Sequence, residues 1–110
     1  MDIVLKDIHA MNGEAVAREH IAGAVAAAHL VYADGATQIF ERNGSTTYAE
    51  NGHVTRGEWY VDNRGRFCSF WPPSFRACYR LHWLVEDGAI VGLTFVDLSE
   101  RSRFDGRYYQ

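Results

Sequence analysis

Two patterns of apolar and polar positions divide this chain. Between residues 12 and 28, Val16, Ala17, Ile21, Ala24, Val25 and Ala28 fall near helical spacing, and Ala26-Ala27-Ala28 has high helix propensity. Asn12-Gly13 suits a helix start, with Glu14 near the positive end of the helix dipole. The pattern predicts a helical lead-in over about residues 12–28, its body at Glu14 to Gly23. Beyond Gly23 the helix either continues or gives way to a strand running from Ala24 to Tyr32.

From residue 30 onward, turn signals arrive about every 8–12 residues, the rhythm of an all-β sandwich or barrel. They are Asp34-Gly35, Asn43-Gly44, Asn51-Gly52, Asn63-Arg64-Gly65, Pro72-Pro73, Asp87-Gly88 and Asp105-Gly106. Asn-Gly and Asp-Gly supply the positive φ angles of tight hairpins. With Asn43-Gly44 at the centre of a two-residue turn, Ile39 faces Tyr48. With Asn51-Gly52 treated alike, Tyr48 faces Thr55. Side-chain alternation then puts Ile39, Tyr48, Thr55, Gly57, Trp59 and Val61 on one face. Phe40, Thr47, Arg56, Glu58 and Tyr60 fall on the other.

A five-residue loop from Trp71 to Phe75 sets Cys68 opposite Cys78. Phe67, Tyr79, Leu81, Trp83 and Val85 then form an apolar face, and Arg66, Cys68, Cys78, Arg80, His82 and Glu86 a mixed one. Ile90 to Asp97 is almost continuously apolar, as in a strand buried on both faces. Ser102 to Tyr109 supplies a last strand or an ordered tail. The expected fold is mainly β: a single domain over 1–110, with a small antiparallel meander barrel over about 30–110 behind the helical segment.

Composition narrows the function. The chain has 110 residues, 47% of them apolar and 14% aromatic, with three Trp, six Tyr and six Phe. That length suits one domain with a real core, and the aromatics favour strands. Net charge is −3, no Lys follows Lys6, and the Arg are interleaved with Asp and Glu. A nucleic-acid groove would need a basic stripe, so no nucleic-acid partner is expected. No apolar run is long enough for a membrane helix, so no membrane partner is expected either. The start, Met1-Asp2-Ile3-Val4-Leu5-Lys6-Asp7, lacks the basic and apolar regions of a signal peptide. As given, the chain is expected in the cytoplasm, or in the periplasm if a leader was removed.

No catalytic motif stands out. G-x-S-x-G, P-loop, G-x-G-x-x-G and EF-hand patterns are absent from the sequence, and Gly52 to Gly57 carries no phosphate-loop Lys. His9, His20, His29, His53 and His82 make no metal spacing. No catalytic residue, cofactor or metal is therefore assigned. As a base, His82 would need an orienting carboxylate from Glu58 or Glu86. Cys68 and Cys78 are either a cross-strand disulfide or two reduced, half-buried thiols. Tyr48, Trp59, Tyr79 and Trp83 converge on the interior, with Phe67 among them. They form either a plain packed core or an apolar pocket with tyrosine hydroxyls as polar handles. Trp71-Pro72-Pro73-Ser74-Phe75 is a stiff aromatic loop that either caps one barrel end or meets a partner.

Four runs carry a resemblance: Thr47-Tyr48-Ala49-Glu50-Asn51-Gly52, Gly57-Glu58-Trp59-Tyr60-Val61-Asp62, Cys68-Ser69-Phe70-Trp71 and Cys78-Tyr79-Arg80-Leu81. Over about residues 30–97 the chain resembles small bacterial lipocalin-like (calycin-type) proteins of unknown function, among which export is common. It also resembles phenolic acid decarboxylases, in His29-Leu30-Val31-Tyr32 with Asp34-Gly35, and in Gly52 with Gly57-Glu58-Trp59-Tyr60-Val61. That second resemblance implies that Tyr32 and Tyr48 orient a carboxylate while Glu58 acts as acid. The chain departs from it by being shorter and by carrying Ala49 near the place of the family's arginine. The register above also puts Glu58 on the opposite face from Tyr48.

The leading expectation is a lipocalin-like module that binds a small apolar or aromatic ligand through Tyr48, Trp59, Tyr79 and Trp83. The alternatives are a small-barrel lyase or isomerase acting on an aromatic acid, and a structural or homodimeric protein using Tyr60, Phe40 or the Trp71–Phe75 loop.

Overall fold

The computed structural model describes residues 5–109. A single 3-10 turn, Leu5–Asp7, and the helix α1, Arg18–Ala26, precede eight strands. These are β1 (His29–Tyr32), β2 (Thr37–Phe40), β3 (Ser45–Glu50), β4 (His53–Val61), β5 (Phe67–Trp71), β6 (Phe75–Glu86), β7 (Ala89–Asp97) and β8 (Arg103–Tyr109). Each strand pairs antiparallel with the next, and β8 returns to β1 to close the barrel. The closed meander expected from the turn spacing is thus the fold, and closure leaves no strand edge open around the ring.

Two hairpins show how the turns set the register. Asn51-Gly52 and Asp87-Gly88 both take positive φ at both positions, 51° and 82° in the first, 51° and 78° in the second. That is the two-residue turn whose twist matches its strands. Tyr48 accordingly faces Thr55, and Cys68 faces Cys78 across the next hairpin but one, both as expected.

Asn43-Gly44 behaves differently. The Glu41 amide donates to Ser45 O at 2.8 Å and the Gly44 amide to Glu41 O at 3.1 Å. The loop therefore holds three residues, and of them only Gly44 takes a positive φ, 96°. Asn43 Oδ1 instead accepts from the Ser45 amide at 2.9 Å. The register slips by one: Ile39 faces Thr47 and Gln38 faces Tyr48. A one-residue slip turns every side chain over. Phe40 and Gln38 point inward, both buried, and Ile39 points outward, the reverse of the expected faces.

The helix also differs from expectation. It starts at Arg18, not near Glu14, and runs through Gly23 to Ala26. The residues before it are extended because β6 runs past the end of β5 and leaves backbone groups unpaired. Gly13 and Val16 donate to Trp83 O and Leu81 O, each at 2.9 Å, and the Trp83 amide donates to Glu14 O at 2.8 Å. Asn12 Oδ1 accepts from the Val85 amide at 2.9 Å. Satisfying that bare edge outweighs the modest helix propensity of Glu14-Ala15-Val16-Ala17.

From there α1 lies across one end of the barrel, here called the lower end. Ile21, Ala24 and Val25 are buried against a cluster that includes Leu30, Trp59, Leu81, Trp83 and Leu93. The Tyr108 hydroxyl ties the helix down by donating to Ala24 O at 2.5 Å. Asp105-Gly106, expected as a turn, lies inside β8. Gly106 is there for space: a Cβ on it would sit 2.9 Å from Cε1 of Tyr32.

Cys68 and Cys78 are joined in a disulfide across β5 and β6, and Cys68 is wholly buried. The bridge closes a short loop, with a sequence separation of 10. Chain-entropy reasoning gives such a loop roughly 3 kcal/mol of stabilisation, through the unfolded state. Reduction, or Cys68→Ala with Cys78→Ala, is expected to lower the unfolding free energy by about 2–3 kcal/mol. Urea denaturation with and without reductant measures it, and superimposable curves would refute it.

Candidate ligand cavity

The layer formed by Trp59, Leu81, Trp83 and Leu93 fills the lower half of the barrel. Above it the interior is not filled. A cavity of about 520 Å³ opens between the loops at the upper end, and all eight strands contribute to its wall. Phe40, Phe67 and Phe95 make its deeper part. Tyr32, Tyr48, Ser69, Tyr79 and Phe104 ring it, with Trp71, Thr55, Ala33 and Asp34 toward the mouth. A volume of this size is typical of small-molecule sites, as is a mostly apolar wall with a few polar groups.

The aromatic rings hold one another in place. Phe95 and Phe104 stack at 5.0 Å, and Phe95 meets Tyr32, Phe67 and Tyr79 edge-on at 6.2, 5.8 and 6.1 Å. Tyr48 meets Trp71 edge-on at 6.4 Å. Trp71 finds room because it lies over Gly57. A Cβ on Gly57 would come within 2.5 Å of the indole Cε3. A glycine in mid-strand thus lets an aromatic ring from the neighbouring strand cover it.

A short polar chain crosses the wall. Thr46 Oγ1 donates to Ile39 O at 2.8 Å, which uses its one proton. The 2.9 Å contact between Gln38 Nε2 and Thr46 Oγ1 must then run from the amide to the hydroxyl. That turns Gln38 Oε1 toward Tyr32, whose hydroxyl donates to it at 2.6 Å. Gln38 and Thr46 are buried, so this order of donors is enforced by the cost of leaving any of them unpaired.

The tyrosines are neutral. Burial raises the Tyr32 pKa well above the ordinary phenol value, and the charge that Tyr48 and Tyr79 would carry on ionising adds to the shift. Burial also raises Tyr48, with help from the charges of Glu50 and Asp34, and raises Tyr79, with help from Asp97. Asp97 is held ionised by Ser99, whose hydroxyl donates to it at 2.7 Å, and by Ser102 and the Arg101 amide. Among the described residues that line the cavity, Asp34 carries the only charge.

Of the four residues expected to bind a ligand, Tyr48 and Tyr79 line this cavity. Trp59 and Trp83 do not; they are 8% and 2% exposed in the packed layer beneath it. The Trp59 indole N–H is taken up by Glu41 O at 2.8 Å. Comparison with protein-family models, curated proteins and solved structures finds no match for this chain.

Residues with expected chemistry lie elsewhere. Glu58 is exposed on the outer face, away from Tyr48, so the acid role implied by the decarboxylase resemblance has no geometry here. His82 also faces outward, its Nδ1 donating to Gly13 O at 3.0 Å, and Glu86, its other expected partner, accepts from Arg107 instead. Asp62, Cys68 and Cys78 come together on the barrel wall, but both sulfurs are committed to the disulfide. Phe40 is buried in the interior and is no dimer contact, whereas Tyr60 and Phe75 are exposed.

Sequence reasoning gave no place to Gln38, Ser69, Phe95 or Phe104 in the site, read Asp34 only as a turn residue and Trp71 as part of a capping loop, and put Phe40 on the other face. Ser69, a small polar residue facing inward between Phe67 and Trp71, was the available signal of unfilled space. Among the described residues no helix is long and apolar enough to cross a membrane.

Proposed function

We propose that this chain is a lipocalin-like binding module that holds a small aromatic or apolar ligand in the upper half of its barrel. One observation carries the reading: eight strands converge on an open cavity of about 520 Å³ where further side chains would otherwise complete the core. Interior packing normally leaves few voids larger than a water molecule. The wall suits flat, apolar guests, because phenylalanine rings line the depth and tyrosine hydroxyls offer uncharged hydrogen bonds near the top.

The test uses a neutral fluorescent probe of apolar sites, N-phenyl-1-naphthylamine. Saturable enhancement is expected with the wild type. Ser69→Leu puts a branched side chain into the cavity from a position that is only 5% exposed. It is expected to weaken probe binding at least about tenfold while the melting temperature holds or rises, since the added methyl groups fill space. Enhancement that does not saturate, or that is equal in both proteins, would remove the binding-module reading.

A further inference from the structure

We propose that the cavity selects ligands carrying a protonated amine beside their aromatic body, and discriminates against carboxylates. This rests on the binding-module reading and names its ligand class.

Two independent features of the wall point the same way. The first is the hydrogen-bond order along β1, β2 and β3. Because Thr46 gives its proton to Ile39 O and Gln38 gives an amide proton to Thr46, Tyr32 must give its own proton to Gln38. A phenol has one proton. What Tyr32 Oη retains for a guest is lone-pair capacity, so it can accept and not donate. A carboxylate, which only accepts, finds no donor in Tyr32 and would have to draw on the Tyr48, Tyr79 or Ser69 hydroxyls, which also line the cavity. An ammonium, which only donates, finds its acceptor in Tyr32.

The second feature is Asp34, in the β1–β2 loop at the mouth. Its Oδ1 accepts from the Ala36 amide at 3.0 Å, an Asx turn that holds the side chain in place. The carboxylate borders the same cavity as Tyr32, and no Lys, Arg or His is among the described residues lining it. Tyr48 and Trp71 also line the cavity, and the face of such a ring attracts a cation and repels an anion. Acceptor, carboxylate and aromatic rings thus border one mostly apolar cleft. A hydrogen bond between ions is stronger than a neutral one, and a carboxylate held beside Asp34 would be repelled by its like charge.

Three probes with one ring system separate the contributions: 1-naphthylmethylamine, 1-naphthalenemethanol and 1-naphthoic acid, titrated by calorimetry into the intact chain at pH 7 and low salt. The amine is expected to bind about tenfold tighter than the alcohol, and the acid weaker than either. Asp34→Asn keeps the Oδ1 acceptor of the turn and removes the charge. It is expected to bring the amine to within about threefold of the alcohol, leaving the alcohol's affinity unchanged. Raising salt in the wild type is expected to narrow the same gap, which checks the result without any variant. If the alcohol and acid bind while the amine gains nothing, amine selection is overturned and the binding module stands. If none of the three binds, both readings fall.

Discussion

Gly92→Ala is expected to lower the unfolding free energy by at least about 3 kcal/mol, more than the same change at the other described glycines. Gly92 sits just after an irregularity in the β6–β7 ladder, where Val85 faces Ile90 but Leu84 faces Gly92. Val91 is the extra residue on β7, and beside it the Gly92 backbone lies close against β8. A Cβ on Gly92 would lie 2.1 Å from Gly106 O and 2.9 Å from the Arg107 Cα. Both are backbone atoms and cannot rotate away. Relief requires parting β7 from β8 at Leu93–Gly106, next to the seam that closes the barrel. Gly35→Ala is the control. It has open space around it but a φ of 90°, so it should lose only about 1–2 kcal/mol, from backbone strain. Chemical denaturation of the two variants decides the matter; equal losses would mean that the Gly92 contact is not what limits the site.

Phe95→Ala is the second. Phe95 is 2% exposed and touches four aromatic rings, so truncation is expected to cost about 3–5 kcal/mol. The hole would not be isolated. It would join the existing cavity and deepen it between β6 and β8. A larger flat probe such as 1-pyrenemethanol should therefore gain affinity relative to 1-naphthalenemethanol, even as stability falls. Equilibrium unfolding gives the first quantity and paired titrations give the second. A loss under about 1 kcal/mol, or an unchanged affinity ratio, would contradict the packing described for Phe95.

Most of the fold was legible because its turns are chemically explicit. Asn51-Gly52 and the Cys68–Cys78 hairpin announce their registers through residues that few other conformations would need. Asn43-Gly44 was ambiguous, since the same dipeptide serves a two-residue turn or the last two positions of a three-residue loop. Nothing local separates these; the loop is chosen by burial of Phe40 and by Trp59, whose backbone amide donates to Gly44 O at 2.8 Å. That one slip hid Gln38, and with it the polar chain to Tyr32. The start of the helix was hidden for a related reason. Only in three dimensions does β6 outrun β5 and expose an edge for Gly13 to Val16. As for the site, the aromatic interior was readable, but its division into a filled lower layer and an open upper one was not. Trp59 and Trp83 differ from Tyr48 and Tyr79 by height along the barrel, and alternation reports the face of a residue, not its height.

If the cavity binds as proposed, a barrel stoppered by α1 below and open above would give a guest the same door for arrival and departure. Depth and collar then control different quantities. The phenylalanines would set which shapes can be seated. Asp34, Tyr48 and Trp71 would be what a seated molecule slips past last, so changes at the collar should register chiefly as altered residence time, with the order of preference among ring shapes preserved.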